Sequence, residues 1–201
     1  VLRVNYRNPE CILSFAYAFS RDYFEKHRNQ EVPLVLPEAC GEKGKPPDIL
    51  QCSSAEEEAR HVAEWLGDKY ALTGRWGDMA VLCPTQFAAQ RLTEVLEERG
   101  IPFVISFTPA DKKHYSHKDN VVHLLTFQSS KGLEFPFVAV INASFVHQGA
   151  EDEGEAIPAL YVAFTRSTRE LLVTFYRKNS ISRHLAHFAG MDPEALRCNG
   201  E

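Results

Sequence analysis

The chain has 201 residues, 44% hydrophobic and 24% charged, with 11 Gly and 11 Pro, the proportions of a globular protein rather than a disordered, collagenous or coiled-coil one. Its 22 Lys and Arg against 27 Asp and Glu leave a net charge of −5, so any nucleic-acid contact is confined to a local patch, since a wholly nucleic-acid-binding surface is basic. No apolar run approaches the ~20 residues of a membrane span, and five cysteines without a Cys-x-x-Cys pair point away from disulfides or structural zinc and toward a reducing, cytoplasmic setting.

Residue 1 is Val, and an alternating pattern is already under way in Leu2-Arg3-Val4-Asn5-Tyr6. The sequence therefore reads as a piece of something longer, with Leu2–Tyr6 as a strand. Pro9 opens an apolar-rich helix to about His27, since the first turn tolerates a residue without N–H. Residues 28–47, rich in Pro and Gly, read as a loop. Asp48–Ser53 is a short strand. Ser54 with Glu57 three residues on predicts a capping box for a helix carrying Ala59, Val62, Ala63, Trp65 and Leu66 on its apolar face. Met79–Cys83 is a strand apolar at every position, as in a parallel sheet covered on both sides. A helix over Phe87–Arg99 closes on Gly100, and Ile101–Ile105 is the next strand. A polar, basic loop spans roughly 108–119, followed by strands at Val121–Thr126 and Phe137–Ile141. An acidic loop, Glu151–Glu155, leads to a helix over Ile157–Ser167, a strand at Leu171–Tyr176 and a helix over Ile181–Ala189. The pairs His114/His117 and His184/His187 read as ordinary surface histidines, not metal ligands. Strands alternating with helices predict an α/β domain over 1–201, with a mostly parallel central sheet flanked by helices.

Ligands of such sheets gather outside the carboxyl ends of the strands, so the residues just after each strand are the ones to read for chemistry. Asn5-Tyr6-Arg7-Asn8-Pro9 joins a strand to a helix start; an aromatic beside a fixed cation suits a nucleotide, and a turn with a solvated arginine is the plainer reading. In Thr126-Phe127-Gln128-Ser129-Ser130-Lys131-Gly132-Leu133-Glu134-Phe135, small polar residues follow a buried strand. Their backbone N–H groups and hydroxyls suit phosphate oxygens, and Glu134 a sugar hydroxyl, whereas a plain connecting turn uses the same residues. The helix Ala159–Ser167 is apolar on nearly every side and ends in Thr165-Arg166. A cation at the edge of a core requires a partner, either an internal carboxylate or a phosphate. The phosphate-cradling pattern G-x-x-x-x-G-K-[ST] is absent throughout.

In this order the three segments are specific. Leu2-x-x-Asn5-Tyr6-Arg7, Thr126-x-x-x-Ser130-Lys131-Gly132-Leu133-Glu134-Phe135 and Leu160-Tyr161-Val162-Ala163-x-Thr165-Arg166 resemble motifs IV, V and VI of superfamily 1 helicases of the UvrD/Rep type. Glu57-Glu58-Ala59, Met79-Ala80-Val81-Leu82 and Gly100-Ile101-Pro102-Phe103 fall among that family's landmarks between them. The resemblance covers roughly residues 1–176 and implies the C-terminal, second RecA-like motor domain of such a helicase. That is a P-loop NTPase-type fold without its own P-loop.

The resemblance further implies that Tyr6 stacks on adenine, that Arg7 and Arg166 reach the γ-phosphate of ATP, and that Glu134 holds the ribose while Gly132 lets the backbone approach the nucleotide. Thr126, Gln128 and Ser130 are expected beside single-stranded DNA. ATP with Mg²⁺ is expected to bind only together with an N-terminal motor domain that these residues do not include. The chain departs from the pattern at Gln128, where His is common, and at Ser167, where Ala is usual. The stretch 104–120 stands where larger relatives insert a subdomain, and it carries Lys112, Lys113, His114, Tyr115, His117 and Lys118 instead. The function implied is half of an ATP-dependent DNA helicase or translocase, inactive as an ATPase alone. The alternative is a degenerate module that binds DNA or protein without turnover, and retention of Arg7, Glu134 and Arg166 together argues for the former.

Overall fold

The computed structural model describes residues 4–5, 7–26, 38–39, 42–107, 119–146 and 156–189. Two short strands, β1 (Val4–Asn5) and β2 (Glu38–Ala39), pair in parallel. The main sheet comprises β3 (Asp48–Gln51), β4 (Met79–Cys83), β5 (Phe103–Ser106), β6 (Val122–Thr126), β7 (Phe135–Val140) and β8 (Ser167–Phe175). Their order is β3-β8-β7-β4-β6-β5, and every pairing is parallel.

A parallel sheet needs covers on both faces, and the helices divide accordingly. One core packs α1 (Glu10–Lys26), α4 (Ile157–Phe164) and α5 (Ser180–Phe188) on the sheet, with Phe15 and Phe19 each in ring contact with Phe164 and Phe188. The other packs α2 (Ala55–Thr73) and α3 (Gln90–Glu98) on the opposite face. Strand β4 shows why all its residues are apolar: Ala80 and Leu82 enter the first core, Met79, Val81 and Cys83 the second.

Local chemistry sets the helix ends. Ser54 caps α2 by accepting from the Glu57 N–H at 3.2 Å, but the carboxylate of Glu57 reaches one residue further back than a capping box requires and accepts from Ser53 N–H at 2.6 Å. The first turn of α1 is capped by backbone instead, with Glu10 and Cys11 N–H donating to the carbonyls of Glu42 and Lys43 at 3.1 Å each. That seating requires glycine at 44, where φ is +69° and a Cβ would lie 2.3 Å from that of Pro9.

Four elements differ from the sequence reading. Residues 38–39, expected as loop, form β2; two residues carry no periodicity to detect. The helix expected to reach Ser167 stops at Phe164, and β8 begins at Ser167 rather than Leu171. Pairing with β7 draws the polar stretch Ser167–Glu170 into the sheet, overriding its lack of strand alternation. β7 in turn starts two residues early, at Phe135, although Pro136 cannot donate to a ladder. The register slips there: Phe135 faces Ser167 while Phe137 faces Glu170, a bulge at the entry of both strands. Tyr6, the basic loop with His114 and His117, and the acidic loop 151–155 lie outside the described residues.

Candidate functional site

The bulge builds the site. Because Phe135 pairs with Ser167 and its N–H donates to the Arg166 carbonyl at 3.0 Å, the residues just before β7 and β8 stand side by side. These are Glu134 and Arg166. Asn8 is buried and spends both amide hydrogens on the same turn, donating from Nδ2 to the carbonyls of Thr165 at 2.9 Å and Ser167 at 2.7 Å. That staple fixes the chain ahead of α1 against the Arg166 turn. Arg7, the next residue back, pairs with Glu134 through Nη1 and Oε1 at 3.1 Å, with 72% of the Arg7 side chain exposed.

Arg166 is half-buried and held by oxygens of its own neighbourhood. Nε donates to Val162 O at 2.9 Å, Nη1 to Leu133 O at 3.4 Å and Nη2 to Thr165 Oγ1 at 3.3 Å. Burial draws this guanidinium below the ordinary arginine range, and Arg7 adds to that while Glu134 opposes it. Backbone carbonyls, with Glu134 nearby, thus take the place of the internal carboxylate pair considered from the sequence. An arginine stays protonated in such a setting, so two cations and one carboxylate share one corner. Burial also raises the Tyr161 phenol, against the field of Arg166.

The corner lies at the amino ends of β7 and β8. The expectation that all the chemistry follows the carboxyl ends is corrected here: Glu134 and Arg166 precede their strands. The segment between β6 and β7 connects the two edges, carrying Thr126–Gln128 at the carboxyl edge and Glu134 at the amino edge. Its middle is a run of tight turns, with Ser130 N–H donating to Thr126 O at 2.9 Å and Leu133 N–H to Ser130 O at 3.0 Å. Thr126 Oγ1 accepts from Ser129 N–H at 3.0 Å, and Ser129 Oγ from Thr126 N–H at 2.8 Å. Ser130 is 0% exposed and its hydroxyl donates to Phe127 O at 2.8 Å. Of the three residues expected beside DNA, Gln128 is exposed, Thr126 half-buried and Ser130 enclosed. Gly132 has φ +83° with nothing within 4 Å of a built Cβ, so the turn itself requires glycine there.

Sequence reasoning gave Asn8 and Glu58 no role of their own. Glu58 stands in the acidic first turn of α2, where carboxylates are common and unremarked, yet it is 3% exposed and accepts from Asn142 N–H at 2.9 Å. Asn8 reads as a turn residue, and only tertiary contact reveals its partners. His184 is only partly exposed: a ring nitrogen lies 2.9 Å from Phe19 O, and the ring packs on Phe19 and Phe188. Among the described residues no group of three or more His, Cys, Asp or Glu side chains gathers for a metal, and no helix is long and apolar enough to cross a membrane.

An all-parallel, two-faced α/β sheet of this kind is RecA-like. Two family models, each described as a UvrD-like helicase C-terminal domain, match residues 1–109 and 121–174. The chain belongs to the UvrD-like helicase C-terminal domain family. Among solved structures, it is similar to the C-terminal domain of a possible DNA helicase from Lactobacillus plantarum, with 20% identity over 92% of this chain and 97% of that one and a TM-score of 0.62. It also matches an arterivirus helicase, nonstructural protein 10, alone and in complex with DNA. Identity is 12% in both cases, with TM-scores of 0.43 and 0.44, and the chain spans 33% and 34% of the two viral chains. Comparison with curated proteins gives no match.

Proposed function

We propose that this domain supplies the second wall of an ATP site and part of a single-stranded DNA path in an ATP-dependent DNA translocase. The observation that carries the reading is the convergence of Arg7, Glu134 and Arg166 at the entry of β7 and β8, on turns tied together by Asn8. Positioned positive charge is what phosphoryl transfer needs most, and an arginine finger accelerates it by ~10³–10⁵. Arg7, exposed on the rim, and Arg166, anchored behind it, would face the γ-phosphate. Glu134 orients Arg7 until a nucleotide arrives and would then accept from the ribose. Tyr6 adjoins Arg7 in sequence and would stack on the base. The carboxylates that would hold Mg²⁺ and the loop that would cradle the phosphates belong to the N-terminal motor domain, since this sequence has no phosphate-cradling pattern. Gln128 would contact DNA phosphates, while Thr126 and Ser130 shape the turn that presents it.

The test is steady-state phosphate release with single-stranded DNA present. The 201-residue chain alone should stay at background. A protein joining it to its P-loop domain should turn over ATP, and Arg166→Ala should lower kcat about 10³-fold or more with a far smaller change in KM. Turnover by the isolated chain that disappears with Arg166→Ala would overturn the reading. So would a joined protein in which that substitution leaves kcat unchanged, the behaviour of a binding module whose Arg166 serves only to fasten Val162, Leu133 and Thr165.

A further inference from the structure

The bulge that sets Glu134 beside Arg166 is held from behind by charges that the proposed nucleotide corner does not use. A step of two residues along β7, Phe135 to Phe137, faces a step of three along β8, Ser167 to Glu170, so β8 carries the extra residue. Ser167 Oγ closes the bulge by donating to Glu170 O at 2.7 Å. The Glu170 carboxylate meets α2, accepting from Lys69 Nζ at 2.7 Å, and Lys45 Nζ lies 3.6 Å away. This pair is largely out of water, with 17% of the Glu170 side chain and 13% of the Lys69 side chain exposed. Lys69 is fixed in turn, its ammonium 5.2 Å from the Trp65 ring centroid and 5.9 Å from that of Phe137. Burial works against the charge on Glu170, yet Lys69 and Lys45 more than offset it and hold the carboxyl below the ordinary carboxylate range.

Lys45 also closes a circuit. It follows Gly44, which sits against Pro9, and Glu42 and Lys43, whose carbonyls cap α1. Asn8, next to Pro9, bonds the carbonyls on either side of Arg166. We infer that Glu170 is a positioning residue for Arg166: with Lys69 and Lys45 it anchors the far side of the bulge, as Asn8 anchors the near side. An extra residue stays in a strand only while the pairing on each side of it is fixed. With one anchor released it can shift out of the bulge, and one step of register is about 3.3 Å. A displacement of only ~1 Å costs on the order of 10²-fold in rate, so a fraction of that step is enough to disable a guanidinium aimed at phosphate. The inference rests on the ATP-site reading above and adds to it a residue that touches no nucleotide.

Two measurements test it. In the 201-residue chain, amide hydrogen exchange reads the bulge without any nucleotide. Glu170→Ala should speed exchange of the Phe135 N–H, which donates to Arg166 O, by about tenfold or more, with Val81 in β4 unchanged. A residue that served stability alone would raise both amides together. In the protein joined to its P-loop domain, Glu170→Ala should lower kcat about ten- to a hundred-fold, with KM for ATP within about twofold of wild type. Lys69→Met, which keeps the stem and loses the charge, should act in the same direction. Because Glu170 acts through Arg166, its removal should have no effect on the residual kcat of Arg166→Ala, whereas a loss of folded protein would lower both backgrounds alike. The positioning role is overturned if Phe135 and Val81 accelerate together or not at all, or if Glu170→Ala lowers kcat by the same factor with and without Arg166. If Glu170→Ala does not fold, Lys69→Met carries both measurements under the same criteria. Should Arg166→Ala leave kcat unchanged, the ATP-site reading falls and the positioning role with it; should Arg166→Ala be damaging and Glu170→Ala not, only the positioning role falls.

Discussion

Asn8 donates twice to the carbonyls flanking Arg166, through a buried bond to Ser167 and a partly buried one to Thr165. Removing a donor from buried acceptors costs their full desolvation, about 1–3 kcal/mol. Asn8→Ala should therefore lower unfolding free energy by that order in a urea titration, whereas Arg7→Ala, which breaks an exposed pair with Glu134, should change stability little. Equal losses from the two variants would show that the turn is held by the ion pair and not by the staple. In the joined motor the ranking should invert, with Arg7→Ala more damaging to kcat than to stability. This division was half legible beforehand. Arg7, Glu134 and Arg166 announce themselves as charges at element boundaries in a recognisable order, while Asn8 is one more polar residue before a helix. Its partners lie 157 and 159 residues away in sequence, a distance over which no local pattern speaks.

Elements, too, are fastened at particular points, and the start of α2 is one. Glu58 accepts from the N–H of Asn142, a non-glycine residue at φ +49° just past β7. Burial, opposed by the Asn142 N–H and the nearby Thr174 hydroxyl, raises its carboxyl to about 6 from an ordinary 4.5. The folded protein therefore favours the protonated form. Its stabilising contribution is fully present below about pH 4.5 and is lost as pH rises through about 6, a change on the order of 2 kcal/mol for a shift of this size. Glu58→Gln keeps an acceptor for Asn142 and has no proton to lose. Urea unfolding from about pH 4.5 to pH 7 should show stability falling more steeply with pH in wild type than in Glu58→Gln, the two curves diverging across that window. Parallel curves would mean that the carboxyl titrates as in water. At this scale the sequence was a good guide where periodicity is long: α1, α2, β4 and α5 lie within a few residues of expectation. It failed where pairing decides. Ser167–Glu170 has no strand pattern and Pro136 argues against one, yet the facing segment recruits both, and that recruitment sets Glu134 beside Arg166.

Among the described residues, the two proposed sets of contacts stand at opposite edges of one sheet. The proposed nucleotide corner sits where β7 and β8 begin, and Gln128, the proposed DNA contact, where β6 ends. The turns from Thr126 to Glu134 carry candidate residues of both kinds and are closed by internal hydrogen bonds. A segment so braced transmits a change only if it has a second arrangement to move to, and coupling between sites requires an element with two states that both sites bias. In the isolated chain nothing at the amino edge selects such a state. Arg166→Ala should therefore leave oligothymidylate affinity within about twofold of wild type, and Arg166→Ala combined with Gln128→Ala should be additive within about 0.5 kcal/mol. On the proposed function, domain closure around ATP in the joined protein would supply the second state, and the same double-mutant cycle should then deviate from additivity. The comparison requires only anisotropy titrations of four variants in each form. Non-additivity already present in the isolated chain would locate the switch inside the Thr126–Glu134 turns. Additivity retained in the joined, ATP-bound protein would leave the two edges independent and remove this segment as the route between nucleotide and DNA.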